Sequence, residues 1–244
     1  MRSCWSIDRE LLGEEGVHYF SSLEDVMSLR GEPVTRSPIS ELILREIGGV
    51  RYYIKRYFRR GKMLRRFFGR SRVRAEWENL QFFQRLGINI PPLVAWGERG
   101  SRGAVITREV PGALDLQTVL KRSPELLHDR EWLNQVIDQV SFAARRLHEE
   151  GFAHNDLKWR NILVTTDRQP TLYLIDCPAG ERWRGPLLEY RKIKDLACLD
   201  KVAKYHLSRT QRLRFYLRYA GRDTLKDEDK VLLRRTLSFF EGRE

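Results

Sequence analysis

From residue 132 to 147 the apolar positions Trp132, Val136, Ile137, Val140, Ala143, Ala144 and Leu147 recur at three-and-four spacing. That period lines one face of an α-helix, and Gly151 just beyond it is placed to end the helix. The pattern then changes. Ile162–Thr165 and Thr171–Ile175 are short apolar runs separated by Asp167, Arg168, Gln169 and Pro170, which predicts a β-hairpin with more than a two-residue loop. Upstream, Val50–Phe58 is rich in Tyr, Ile and Phe behind a Gly48-Gly49 turn and reads as a strand. Val73, Glu76, Leu80 and Phe83 share one face of a helix that Gly87 ends, so Glu76 points inward among apolar neighbours while Glu78 is offset toward Phe82. A short helical pattern covers Leu23–Leu29. The tail from Ser208 to Glu244 is strongly helical, with Leu213, Tyr216, Leu217 and Ala220 expected to pack inward.

Between the long helix and the hairpin lies His154-Asn155-Asp156-Leu157-Lys158-Trp159-Arg160-Asn161-Ile162-Leu163, and the hairpin itself ends in Tyr173-Leu174-Ile175-Asp176. A lone Asp-x-x-x-x-Asn usually caps a turn, for which Asp and Asn are favoured. Here the flanking helix and hairpin make a different reading stronger. The segment places a base (Asp156), a cation (Lys158) and an amide ligand (Asn161) on one tight loop, with a second carboxylate (Asp176) after the next strands. Phosphoryl transfer needs such parts, because the enzyme mainly positions a hydroxyl and neutralises charge around a Mg2+-bridged phosphate. The same chemistry calls for a strand Lys held by a helical Glu. Lys55 lies in the Val50–Phe58 strand, and the inward Glu76 needs a cation, since an unpaired buried carboxylate is costly.

The order and spacing of these motifs resemble the catalytic loop and metal-binding Asp of the protein-kinase-like fold. Within it the chain resembles the lipopolysaccharide kinase family, the Kdo and heptose kinases of the Gram-negative inner core, from about Leu42 to Leu199. The branch-specific features are the Glu76-Trp77 helix, the Gly97-Glu98-Arg99-Gly100 turn and Asp176-Cys177-Pro178. The resemblance implies an α+β fold of two lobes. Residues 1–108 would form a small β-rich N-lobe with one main helix, the first 33 carrying no motif, and residues 109–244 a mostly helical C-lobe. It implies that Asp156 orients and deprotonates the acceptor hydroxyl, that Lys158 steadies the transferring phosphate, and that Asn161 and Asp176 hold Mg2+. Lys55 and Glu76 would anchor the phosphates of ATP, the backbone at Glu109 and Val110 would meet adenine at the hinge, and Asp195 and His154 would brace the loop.

The departures carry information too. Thr35–Ser40, where a glycine-rich phosphate loop is expected, contains no glycine. Asn155 stands where many protein kinases have an Arg that reads a phosphorylated activation loop, and no Ala-Pro-Glu follows Asp176, so control by activation-loop phosphorylation is not expected. Cys177–Tyr190 is too short and basic for peptide docking and suits a small or anionic acceptor. A protein Ser/Thr kinase, and a pseudokinase scaffold that binds nucleotide or lipid, are the alternative readings.

Composition narrows the partners. With 244 residues, the chain suits one such fold. Formal net charge is +12, and Lys55–Arg74 holds ten Lys or Arg and no acid, interleaved with Tyr57, Phe58, Met63, Leu64, Phe67 and Phe68. Such a block is either a solvated face or a surface whose aromatics dip into an anionic leaflet. Nucleic acid would suit the charge, but no recognised nucleic-acid motif accompanies it. Three isolated cysteines, Cys4, Cys177 and Cys198, predict free thiols. No apolar run approaches the length of a membrane span and Met1–Glu10 lacks a signal-peptide core, which predicts a cytoplasmic protein, peripheral at most on the cytosolic face of the inner membrane. The expected partner there is lipopolysaccharide core or its lipid-linked precursor.

Overall fold

The computed structural model describes residues 4–58 and 70–242. Contacts divide the chain into two units, Met1–Phe82 with Ile90–Pro111, and Phe83–Asn89 with Gly112–Glu244.

The first unit is built on an antiparallel sheet. Its strands are β1 (Cys4–Ile7), β2 (Glu32–Arg36), β3 (Ser40–Ile47), β4 (Val50–Tyr57), β5 (Leu93–Arg99) and β6 (Arg102–Arg108), in the order β1-β5-β6-β4-β3-β2. Gly48 and Gly49 have φ of +58° and +72°, and Ile47 pairs with Val50, so a two-residue turn with both central residues left-handed joins β3 to β4. Successive side chains of a strand point to opposite faces. On β4 this puts Tyr52, Ile54 and Arg56 on one face and Tyr53, Lys55 and Tyr57 on the other. Tyr52 and Ile54 join Phe20, Val94, Ala104 and Ile106 in the main core, which α1 (Arg9–Tyr19) and α2 (Leu23–Ser28) cover through Leu12, Leu23 and Val26. The ring of Phe20 meets that of Tyr52 edge-on at 5.2 Å. Arg56 follows the same alternation inward and is 5% exposed; its guanidinium is held by the Leu29 carbonyl and the Glu41 carboxylate. The main helix, α3 (Arg72–Arg85), buries the face Val73, Glu76, Leu80 and Phe83, and Gly87 follows it at φ +77°.

The second unit is mostly helical, as expected of a C-lobe. It comprises β7 (Ala113–Asp115), α4 (Leu116–Arg122), α5 (Arg130–Glu149), β8 (Phe152–Ala153), β9 (Ile162–Thr165), β10 (Leu172–Leu174), β11 (Glu181–Arg182), α6 (Gly185–His206), α7 (Arg209–Ala220) and α8 (Asp227–Leu237). The predicted face of α5 is buried along its length, and Asp129 caps its start by accepting from the amides of Glu131 and Trp132. The predicted hairpin is β9–β10, extended by β7 into a three-stranded sheet.

The tail is helical as expected, in two helices: Gly221, at φ +64°, ends α7 and a turn precedes α8. One expectation needs correction. Leu213 does not pack inward; it is 39% exposed, whereas Tyr216, one turn on, is buried. The heart of the Lys55–Arg74 basic block, residues 59–69, lies outside the described residues. Of the five described cations flanking that stretch, which include Arg72, four are each held by a carboxylate: Lys55 by Glu76, Arg56 by Glu41, Arg70 by Glu78 and Arg74 by Glu98. Among the described residues no helix is long and apolar enough to cross a membrane. Cys4, Cys177 and Cys198 are free thiols.

Candidate active site

In the first unit, the strand period aims Lys55 off the β4 face opposite the core and the helical period aims Glu76 at it. The two meet at 3.0 Å, with Glu76 4% exposed. Tyr57, two residues along the same face, donates its hydroxyl to the other carboxylate oxygen, and the Lys55 ammonium lies 5.3 Å from the centre of its ring. Burial raises the cost of an unmatched charge, so this pair is held by both a cation and a hydroxyl. In the sequence Tyr57 stood only as one of the aromatics interleaved with the basic block. Glu109 and Val110 follow β6; the Glu109 amide donates to the Arg51 carbonyl at 2.8 Å and its carboxylate meets Arg51 at 2.9 Å.

In the second unit, Asp156, Lys158 and Asn161 fall on one loop between β8 and β9, and several bonds fix its shape. The Lys158 amide donates to the Asp156 carbonyl at 2.9 Å and the Asn161 amide to the Lys158 carbonyl at 2.8 Å, closing a single 3-10 turn over Trp159–Asn161. Trp159 is 5% exposed, and its indole N–H donates to the Leu199 carbonyl at 3.0 Å. The Asn161 amide nitrogen donates to the Asp156 carbonyl at 2.8 Å and to its Oδ2 at 3.2 Å. Its oxygen is thereby left for another partner. The Ile175 amide, next to Asp176, donates to the Asn161 carbonyl at 3.1 Å, so the hairpin delivers Asp176 to the loop's end.

Around Asp156 the charges are unequal. Lys158 Nζ contacts Oδ1, and Arg160 Nη2 lies 3.6 Å from Oδ2. Burial pushes the Asp156 carboxyl up, but the Lys158 hydrogen bond and the positive charges of Lys158 and Arg160 outweigh it, leaving the group below the usual carboxylate range. It is ionised at any physiological pH and ready to accept a hydrogen bond.

The loop is anchored from behind. Asp195, fully buried on α6, accepts from the His154 amide at 2.7 Å and faces His148 Nε2 at 3.4 Å; His148 Nδ1 shares a 2.8 Å hydrogen bond with the Tyr219 hydroxyl. Sequence reasoning placed Asp195 but not His148 or Tyr219. The His154 ring is fully buried, stacks on Phe83 at 5.8 Å, and is held neutral by burial against the pull of Asp195, Asp176 and Asp156. Asn155 is the loop's second anchor. Its amide nitrogen donates to the carbonyls of Ala179 (2.8 Å) and Ala153 (3.3 Å), its oxygen accepts from Arg191 (3.3 Å), and its backbone carbonyl accepts from Lys194 (2.8 Å). With β8 paired to β11, the segment after Asp176 is strapped to the loop through the Asn155 side chain, and α6 adds the Arg191 and Lys194 contacts.

The second unit also holds an apolar cavity of about 510 Å3 bordered by α4 to α8, whose lining includes Leu116, Val140, Leu199, Leu213, Leu233 and Leu237. Leu213 faces this space, which accounts for its exposure.

A model of the lipopolysaccharide kinase (Kdo/WaaP) family matches residues 23–219. Among solved structures the chain is similar to WaaP in complex with acyl carrier protein, with 22% identity and a TM-score of 0.71 over 100% of this chain and 98% of that one. That likeness speaks for the fold. No curated protein sequence matches the chain.

Proposed function

The chain belongs to the lipopolysaccharide kinase (Kdo/WaaP) family and is a kinase, and from that premise we propose that it transfers the γ-phosphoryl group of ATP to a sugar hydroxyl, on Kdo or heptose, of the lipopolysaccharide inner core. The observation that carries this reading is the Asp156–Asn161 loop, where a carboxylate, a cation and an amide oxygen are held in one rigid turn. Asp156 would receive the acceptor hydroxyl and take its proton as the P–O bond forms; its low pKa suits a loose transition state in which the proton leaves late. Lys158 would turn from Asp156 to the transferring phosphate. Lys55, steadied by Glu76 and Tyr57, would hold the other phosphates. The Glu109 N–H is spent on Arg51, so its carbonyl and the Val110 backbone are the groups to meet adenine.

Asn161 and Asp176 offer an amide and a carboxylate oxygen, a hard donor pair of the kind that binds Mg2+ together with nucleotide phosphates and water. Among the described residues no group of three or more His, Cys, Asp or Glu forms the cage that a softer, fully protein-ligated metal would need. The ion would neutralise charge building on the phosphates.

The test is transfer of labelled phosphate from ATP to purified lipopolysaccharide core, run beside a generic protein mixture. Label in the core and not in protein supports the reading; label in protein alone would make this a protein kinase, and label in neither despite ATP binding would favour a scaffold.

A second, compatible reading concerns the apolar cavity. The similar solved structure contains an acyl carrier protein, and 510 Å3 of apolar-lined space exceeds several-fold the roughly 150 Å3 that accommodates benzene in an engineered core. We propose that the cavity takes the acyl chain of such a carrier, each buried methylene contributing about 0.8 kcal/mol. A melting temperature raised by acylated carrier protein and not by the unacylated form would bear this out. Peripheral binding to the cytosolic leaflet would draw on the Lys55–Arg74 block, of whose described cations Arg56, Arg70 and Arg74 are already paired.

A further inference from the structure

Two cations face Asp156, and phosphoryl transfer accounts for one of them. Lys158 has the phosphate to serve, while Arg160 has no part in the chemistry assigned above. Its position is nevertheless tightly fixed. It sits in the 3-10 turn between Trp159 and Asn161, which are 5% and 3% exposed and pinned by their bonds to Leu199 and Asp156. A turn whose neighbours on both sides are buried must present the residue between them outward, and the Arg160 side chain is 58% exposed. At 3.6 Å from Asp156 Oδ2 its guanidinium makes an ion pair without a hydrogen bond. Its planar fork is therefore not committed to that carboxylate.

An acceptor hydroxyl must come within about 2.6–3.2 Å of an Asp156 oxygen to be deprotonated. A guanidinium within ion-pairing range of the same carboxylate then stands beside the sugar positions that neighbour the reacting hydroxyl. The loop from His154 to Asn161 carries one carboxylate and two cations, so a negative substituent is drawn in and a positive one repelled. The same cation offsets the repulsion between an anionic acceptor and the phosphates of the donor. Arginine in place of lysine matters here, because its parallel N–H groups match the two oxygens of a carboxylate or phosphate.

We propose that Arg160 is the acceptor-reading residue of this kinase, binding an anionic substituent, carboxylate or phosphate, on the sugar next to the hydroxyl that is phosphorylated. The inference rests on the reading of Asp156 as the base for a core sugar.

The test uses the full chain, labelled ATP and three probes: deacylated inner-core oligosaccharide, the same material stripped of phosphate with hydrogen fluoride, and the same material with its carboxylates methyl-esterified. Arg160→Gln should raise KM for the untreated oligosaccharide about ten- to a hundredfold, the range expected from losing charge-assisted hydrogen bonds, with a smaller change in kcat. Arg160→Lys should restore part of the loss and Arg160→Glu deepen it. On the probe lacking the recognised group the gap between wild type and Arg160→Gln should close, and the probe that closes it names the group. An equal gap on all three probes, or none on the untreated one, overturns the proposal while leaving the kinase reading intact. Failure of wild type to label any of the three would instead remove the reading on which it rests. Because the side chain is exposed, all three variants should fold, which thermal denaturation checks.

Discussion

Replacing Asn155 by Gly isolates what its side chain does for the loop. Asn155 has φ +66°, a conformation that glycine adopts freely and alanine does not, so Asn155→Gly removes the side chain without straining the backbone. What is lost is a donor to the Ala179 and Ala153 carbonyls and an acceptor for Arg191, in a residue 8% exposed. The 2.8 Å bond to Ala179 is the strong one; a buried partner left unmatched costs about 1–3 kcal/mol. The two bonds at 3.3 Å are longer, and the Arg191 guanidinium retains its stacking on Trp183 at 4.6 Å. Added conformational freedom of the unfolded chain costs roughly another 0.5–1 kcal/mol. Relief of the left-handed strain returns on the order of 1 kcal/mol, so the net loss is about 0.5–3 kcal/mol; Asn155→Ala keeps that strain, about 1–2 kcal/mol, without glycine's added freedom, and should be roughly 0.5–1 kcal/mol less stable than Asn155→Gly. Urea denaturation measures both. Catalysis should suffer through Asp156, the next residue, so kcat for phosphate transfer should fall while the KM for ATP stays close to wild type. If Asn155→Ala proves no less stable than Asn155→Gly, the backbone argument is wrong; if both keep wild-type kcat, the strap positions nothing.

Asp156→Asn should lower transfer by roughly two to four orders of magnitude with nucleotide binding kept; near-normal turnover would remove Asp156 from the mechanism. Asp176→Ala should weaken ATP binding only when Mg2+ is present, and Asn161→Ala should do so more mildly, because each deletes one oxygen ligand; isothermal titration with and without the metal separates these cases. His154 is held neutral in the fold, its pKa below the ordinary 6.5, so below about pH 6.5 the unfolded chain binds a proton that the folded chain refuses. Stability is therefore full above that pH and falls as pH drops through it, by up to about 1.4 kcal/mol per pH unit from this group. His154→Phe should flatten that slope in urea midpoints taken between pH 7 and 5, and an unchanged slope would assign it to other groups.

The parts of the fold written in local periods were legible in the sequence. The α5 face from Trp132 to Leu147, the turn at Gly48-Gly49 and the inward face of α3 are each encoded within a few residues, and each appears in the structure. What escaped is encoded at long range. Arg191 and Lys194 reach Asn155 across 36 and 39 residues, and no period links them. Tyr219 meets His148 across 71. Arg56 looked like one more solvated cation in a basic run, yet strand alternation puts it on the face of Tyr52 and Ile54, where carbonyl and carboxylate oxygens hold it. Leu213 was assigned inward by spacing alone, which cannot tell a packed face from the wall of a cavity.

Backbone conformation adds an argument independent of motifs. Among the described residues two that are not glycine have positive φ, Asn155 at +66° and Asp176 at +57°. One precedes the candidate base and the other is a candidate metal ligand. Left-handed backbone costs a non-glycine residue on the order of 1 kcal/mol and persists only where its surroundings hold it. For Asn155 the holding contacts are the bonds to Ala179, Arg191 and Lys194; near Asp176 they include the Ile175 amide on Asn161 and Cys177, 1% exposed, with its thiol directed at the His154 carbonyl at 3.7 Å. Glycine at either position would relieve the strain, but it would remove the side chain each proposed role needs. Strain retained at two positions, both within the same loop and hairpin, is therefore an observation in its own right, and it falls on the segment for which chemistry at Asp156, Asn161 and Asp176 is proposed.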